Sequence, residues 1–120
     1  MCSSDLWVPA ESDLDAVTAV SGSGPAYFFL LMELMQRAAV DLGLDPDTAR
    51  QLVVKTALGA ATMVDRRDDD VAELRQAVTS PGGTTAAAIG TFLDGGLPDL
   101  VTAALGAAHR RSIELAGESD

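Results

Sequence analysis

The stretch Val78-Thr79-Ser80-Pro81-Gly82-Gly83-Thr84-Thr85 decides the reading of this chain. Pro81 fixes φ and ends a preceding helix, and Gly82 and Gly83 allow a turn that a Cβ would hinder. Ala86-Ala87-Ala88-Ile89 follows and is strongly helical. Gly83, Thr84 and Thr85 therefore fall at a helix N-terminus, where free N–H groups and the helix dipole favour an anion. Ser80 and the two threonines add hydroxyl donors. The plain alternative is a Pro-Gly-Gly turn before a threonine-capped helix, a common arrangement. Spacing alone leaves both open.

Capping signals divide the rest of the chain. Ser12, with Asp15 three residues on, resembles a helix-start box and predicts a short helix to about Val20. Ser21-Gly22-Ser23-Gly24 breaks it. Pro25 suits the first position of a helix to about Leu42, with Gly43 as its C-cap. That helix is apolar nearly all round, with Glu33, Gln36, Arg37 and Asp41 as a narrow polar stripe. Such a helix is central in a domain or buried between subunits. Asp45-Pro46 pairs an N-cap with a first-position proline and starts a third helix. Gly59 in its middle costs about 1 kcal/mol relative to Ala, which implies close approach of another helix.

Residues 65–70 form a charged, solvated connector. A short helix over 71–78 delivers the chain to the turn. The next helix runs from Thr84 to about Leu93 and stops at Asp94-Gly95-Gly96. Pro98 opens a last helix to about Ala116, and 117–120 is a polar tail. Residues 1–6 read as a loose end, and Trp7-Val8-Pro9 as the remnant of a connector. No strand signal of useful length and no fixed-period repeat is visible. The expected fold is all-α, with five or six helices and no sheet.

The 120 residues suggest one domain, and 48% hydrophobic content supplies a core. The net charge of −10 argues against nucleic-acid binding, which wants a basic patch. Cys2 is the single cysteine, so no disulfide forms within the chain, which fits a reducing cytoplasm. With His109 as the single histidine there is no usual metal-ligand cluster, and no metal is expected. The apolar run over 25–32 ends at Glu33, well short of the roughly 20 residues of a membrane span. No secretory signal is visible. Lys55 falls on a polar stripe, and His109, beside Arg110 and Arg111, reads as a surface or interface histidine. No convincing catalytic dyad is present.

A second segment, Ala16-Val17-Thr18-Ala19-Val20-Ser21-Gly22-Ser23-Gly24-Pro25-Ala26-Tyr27, is another glycine-serine break entering a helix. With Gly59-Ala60-Ala61 and the segment from Leu74 to Thr85, it closely resembles the C-terminal domain of pyrroline-5-carboxylate reductase. The match runs in order from about Trp7 to Leu115, so 7–120 is expected to be that domain. One departure is Asp70-Val71, where the family commonly carries His-Pro.

The resemblance implies a helical bundle that interlocks as a homodimer, and larger rings built from dimers. It implies reduction of 1-pyrroline-5-carboxylate to L-proline with NADPH or NADH, the cofactor being held by an N-terminal Rossmann domain. No strand–G-x-G-x-x-G–helix unit occurs in this sequence, so the domain alone is expected to bind no cofactor. The substrate carboxylate is implied on the N–H groups of Thr84 and Thr85 and the Thr85 hydroxyl, with Val78, Ser80 and Gly83 in the same pocket. Thr18, Ser23, Gly24 and Pro25 are implied beside the nicotinamide and the imine; helix capping is the plain alternative for Thr18 and Ser23. One competing reading is a free-standing helical dimerisation module without catalysis. Another is the helical domain of a hydroxyacid dehydrogenase relative, whose G-x-G-x-x-K pattern needs a lysine where Tyr27 stands.

Overall fold

The computed structural model describes residues 13–118. The expected loose end, the Trp7-Val8-Pro9 connector and Ser12 of the start box lie outside the described residues. Six α-helices run in order: α1 (Leu14–Val17), α2 (Gly24–Asp41), α3 (Pro46–Arg66), α4 (Val71–Ala77), α5 (Thr84–Asp94) and α6 (Leu97–Glu118). A π-helical turn, Thr18–Gly22, lies between α1 and α2. No strand occurs among the described residues, as an all-α fold requires.

The helix ends follow the capping chemistry. Gly43 takes φ +110°. Its N–H donates to the Val40 carbonyl at 2.9 Å, and the Leu44 N–H reaches back to the Ala39 carbonyl at 3.1 Å. This pair of bonds is a Schellman closure, and it needs a residue at ease with positive φ. At the start of α3, the Asp45 carboxylate accepts from the Asp47 N–H at 2.9 Å and the Thr48 hydroxyl at 2.5 Å, with Pro46 at the first helical position.

The expected break at 21–24 is much shorter than its glycines and serines suggest. Helical backbone continues through Gly22, and Ser23 alone separates it from α2. The Thr18 hydroxyl donates to the Leu14 carbonyl at 2.9 Å, and the Ser21 hydroxyl to the Val17 carbonyl at 3.0 Å. These back-bonds let polar residues sit inside a helical path without leaving it.

Among the described residues, backbone contacts gather in two units, 13–28 with 96–118, and Phe29–Gly95. In the first, α6 packs against the π turn and α1. The Ser112 hydroxyl donates to the Asp15 carboxylate at 2.7 Å and ties α6 to α1. Ala19, only 2% exposed, lies in the interior of this unit. In the second, Ala49, Val53 and Leu74 are buried.

Much of the apolar surface stays open. On α2, Phe28, Phe29 and Leu30 are 69%, 66% and 55% exposed, and Leu31, Leu34, Met35 and Val40 are also exposed. On α3, Leu52, Leu58, Met63 and Val64 are exposed. Gly59, expected to meet another helix closely, meets none among the described residues: an added Cβ would find nothing within 4 Å. Of the two possible settings for the apolar α2, the interior of its own domain is therefore not the one found.

The Thr48 hydroxyl, with the Asp47 N–H behind it, holds the Asp45 carboxyl below its ordinary value of 3.8. A lowered folded-state value contributes stability that is present above the ordinary value and lost as pH falls through the lowered one. Asp45→Ala should lower the melting temperature at neutral pH. The gap to the parent should close as pH drops below 3.8, and thermal denaturation across pH 2–7 checks both, with acid-induced unfolding of the parent watched as a control.

Candidate functional site

Ser80-Pro81-Gly82-Gly83 is a tight turn. The Gly83 N–H donates to the Ser80 carbonyl at 3.0 Å, and Gly82 sits at φ +74°. Proline second and a positive-φ glycine third is the pattern of a type II turn. A Cβ on Gly83 would come within 3.3 Å of the Ser80 carbonyl oxygen, a tight contact, so the two glycines relieve different constraints.

The turn ends directly at α5. Gly83 is the N-cap, and no side chain caps this end. The first intrahelical bond runs from the Ala87 N–H to the Gly83 carbonyl at 3.2 Å. The Gly83 N–H is already committed to the turn. The donors left facing out are those of Thr84, Thr85 and Ala86. The threonine-capped alternative does not occur. Thr62, Thr79 and Thr91 donate their hydroxyls to carbonyls four residues back. Thr84 and Thr85, in the first turn, have no such helical carbonyl behind them. Val78 is exposed at the end of α4, and Ser80 is exposed in the turn.

The second segment is built around the π turn. The Ser23 N–H donates to the Thr18 carbonyl at 2.9 Å, five residues back. Thr18 is exposed and its hydroxyl is back-bonded, so it caps nothing. Ser23 is half-buried and Gly24 is buried, while Pro25 stands exposed in the first turn of α2. A Cβ on Gly24 would meet nothing within 4 Å, so the backbone there can be approached closely. The Tyr27 hydroxyl donates to the Ala19 carbonyl at 2.7 Å and spans the π turn.

The two segments share one electrostatic trait. The first turns of α1, α3, α4 and α6 carry Asp15, Asp47, Glu73 and Asp99. Those of α2 and α5 carry no acid. In a chain with 18 acidic residues, these are, among the described α-helices, the two whose first turns set no acid against the positive end of the dipole. Other chemistry is sparse. Lys55 is exposed and His109 half-buried on α6. Among the described residues no cluster of three or more His, Cys, Asp or Glu could hold a metal ion. Among them, too, no helix is long and apolar enough to cross a membrane.

Residues 11–115 match the family profile described as pyrroline-5-carboxylate reductase dimerisation. The chain belongs to that family. It is 57% identical over 111 residues to pyrroline-5-carboxylate reductase of Pseudomonas aeruginosa, covering 92% of this chain and 41% of the relative. The reductase of Pasteurella multocida is 49% identical over 110 residues, with 91% and 40% covered. Among solved structures, a pyrroline-5-carboxylate reductase from Coxiella burnetii superposes with a TM-score of 0.88 at 49% identity, over 92% of this chain and 41% of that one. A pyrroline carboxylate reductase from Plasmodium falciparum, solved with NADP bound, gives 0.82 at 36% identity, over 86% and 42%. This chain thus spans about two fifths of the relatives it matches. These matches favour neither the hydroxyacid dehydrogenase reading nor a module outside the reductase family.

Three features of the candidate site give little signal in the sequence. Ala86 contributes only a backbone N–H and gave no side-chain signal. Tyr27 stands where a dehydrogenase pattern needs lysine, and nothing in the sequence singles out its hydroxyl. The acid-free first turns of α2 and α5 were legible as a pattern once the helix starts were known.

Because Gly82 needs positive φ, Gly82→Ala should cost about 1–2 kcal/mol. The midpoint of urea denaturation checks this, with Gly117→Ala, at the end of α6, as a mild comparison.

Proposed function

We propose that this chain, from about residue 7 to 120, is the dimerisation and substrate-binding domain of a cytoplasmic enzyme that reduces 1-pyrroline-5-carboxylate to L-proline. The observation that carries the reading is the pair of acid-free helix N-termini at the two segments the family resemblance singles out. The substrate carboxylate binds the N–H groups of Thr84, Thr85 and Ala86 and the Thr85 hydroxyl. Ser80 and Val78 line the same pocket, and Gly82 and Gly83 shape it. An anion there gains from the helix dipole and from charge-assisted hydrogen bonds.

Thr18, Ser23, Gly24 and Pro25 stand beside the ring that donates the hydride. The open Cβ position of Gly24 fits a flat ring against the backbone. NADPH or NADH, when bound, would supply a hydride to the carbon of an imine whose nitrogen has already taken a proton from solvent. A protonated imine is already electrophilic, so the domain's task is to hold the two reactants in line and exclude water. This suits a site made of backbone donors and hydroxyls.

The domain works as a homodimer. The exposed large side chains of α2 alone represent on the order of 5–10 kcal/mol of burial still available. The free space over Gly59 leaves room for a second chain to approach α3 closely. Rings of dimers extend the same interface logic.

Two outcomes test this. In a reductase carrying this domain, Thr85→Ala should raise KM for pyrroline-5-carboxylate about ten- to a hundredfold, the loss expected from one charge-assisted hydrogen bond. Cofactor affinity should stay within about twofold, since Thr85 touches only the carboxylate. Equal loss of both affinities removes Thr85 from the substrate site. The 120-residue chain by itself should sediment as a dimer and oxidise no NADPH with pyrroline-5-carboxylate. A well-folded monomer at micromolar concentration defeats the interface, and turnover by this chain alone defeats the division of labour.

A further inference from the structure

The π turn leaves a carbonyl without its usual donor. In an uninterrupted α-helix the Ser23 N–H would serve the carbonyl of Ala19, four residues back. Here it serves Thr18 instead, at 2.9 Å. Ala19 is only 2% exposed, so water is a poor substitute. The Tyr27 hydroxyl takes the place of the missing donor at 2.7 Å. An unpaired buried carbonyl is costly, and removing this hydroxyl gives the backbone a reason to return to α register. That return would take up the extra residue and turn the path after it by about 100°. Ser23, Gly24 and Pro25 lie directly on that path.

We propose that Tyr27 is a positioning residue. Its hydroxyl locks the π turn, and the lock sets the backbone of Ser23, Gly24 and Pro25 against the reacting imine. This rests on the reading of those residues as the hydride-transfer side of the site. Tyr27 touches neither reactant; it acts through Ala19. A π turn inside a helical path frequently marks a functional site, because it spends regular hydrogen bonding on a particular backbone direction. Here the bond it forgoes is restored by a single hydroxyl placed eight residues downstream.

The test has a structural and a kinetic arm. Tyr27 is the single tyrosine of this chain, so the tyrosine Fermi doublet in its Raman spectrum reports that hydroxyl without any variant. The expected spectrum is that of a strong donor, and the spectrum of a water-exposed phenol would overturn the lock. In Tyr27→Phe, the Ser23 amide should exchange its hydrogen faster while amides in the middle of α3 keep their rates. In a reductase carrying this domain, Tyr27→Phe should lower kcat about tenfold, with KM for pyrroline-5-carboxylate changed less than about twofold, because alignment is lost and the carboxylate cradle is not.

Unchanged kcat with an active parent enzyme overturns the positioning role and leaves the functional reading standing. A fall in kcat that comes with loss of the dimer also overturns it, since the tyrosine is then merely structural. A parent enzyme that does not reduce pyrroline-5-carboxylate overturns the functional reading, and with it the catalytic purpose of the lock. In that case the Raman and exchange results still decide whether the lock exists.

Discussion

The constraint on which the structure depends is a surplus of apolar surface. Among the described hydrophobic residues, Ala19, Ala49, Val53 and Leu74 form the buried core. They are small or medium side chains, and they cannot offset the ordering of so many residues. Phe28, Phe29, Leu30 and Leu58 are more than half exposed. A surface of this kind marks an interaction site rather than a solvent face. The helices form because their capping and propensity are sound, yet their apolar faces stay open within this chain. Membership of a dimerisation family and these open faces point the same way.

The same constraint bears on where the proposed chemistry sits. Long helix faces left apolar and open offer little room for a pocket of converging polar side chains. The helix ends are the places that remain for it. At α5 a type II turn commits the Gly83 N–H and leaves those of Thr84, Thr85 and Ala86 outward. At α2 a π turn and one serine deliver the chain to a buried glycine. Acidic residues occupy the first turns of the other helices, where they complement the dipole. Their absence at these two ends forgoes that stabilisation, a sacrifice consistent with keeping an anion or polar ligand site open.

Much of this was legible in the sequence because it is local. Asp45-Pro46, Gly43 and Pro81-Gly82-Gly83 each dictate backbone geometry within a few residues, and each stands where the pattern put it. The π turn was not legible. Ser21-Gly22-Ser23-Gly24 has the composition of a break, and only the back-bonds of Thr18 and Ser21, with the Tyr27 hydroxyl across the turn, keep it helical. Gly59 is ambiguous for a related reason. A glycine inside a helix signals a close neighbour, but the sequence does not say in which chain that neighbour lies.

The sparse chemistry of the chain has a physical explanation. Catalysis through a lysine, histidine or metal leaves a signature of rare residue types at fixed spacing. On the proposed function, reduction of a protonated imine asks for none of them, because the electrophile is preformed and the hydride comes from the cofactor. The domain's proposed share is alignment, and backbone N–H groups suit a carboxylate because they are fixed by the helix itself. Side chains then matter through what they hold in place. Gly82 holds a turn by lacking a Cβ, and Tyr27 reaches back to a carbonyl that the helix ladder has passed over. On that proposal the residues that govern the reaction need not be those that touch it, and a search for reactive side chains passes over them.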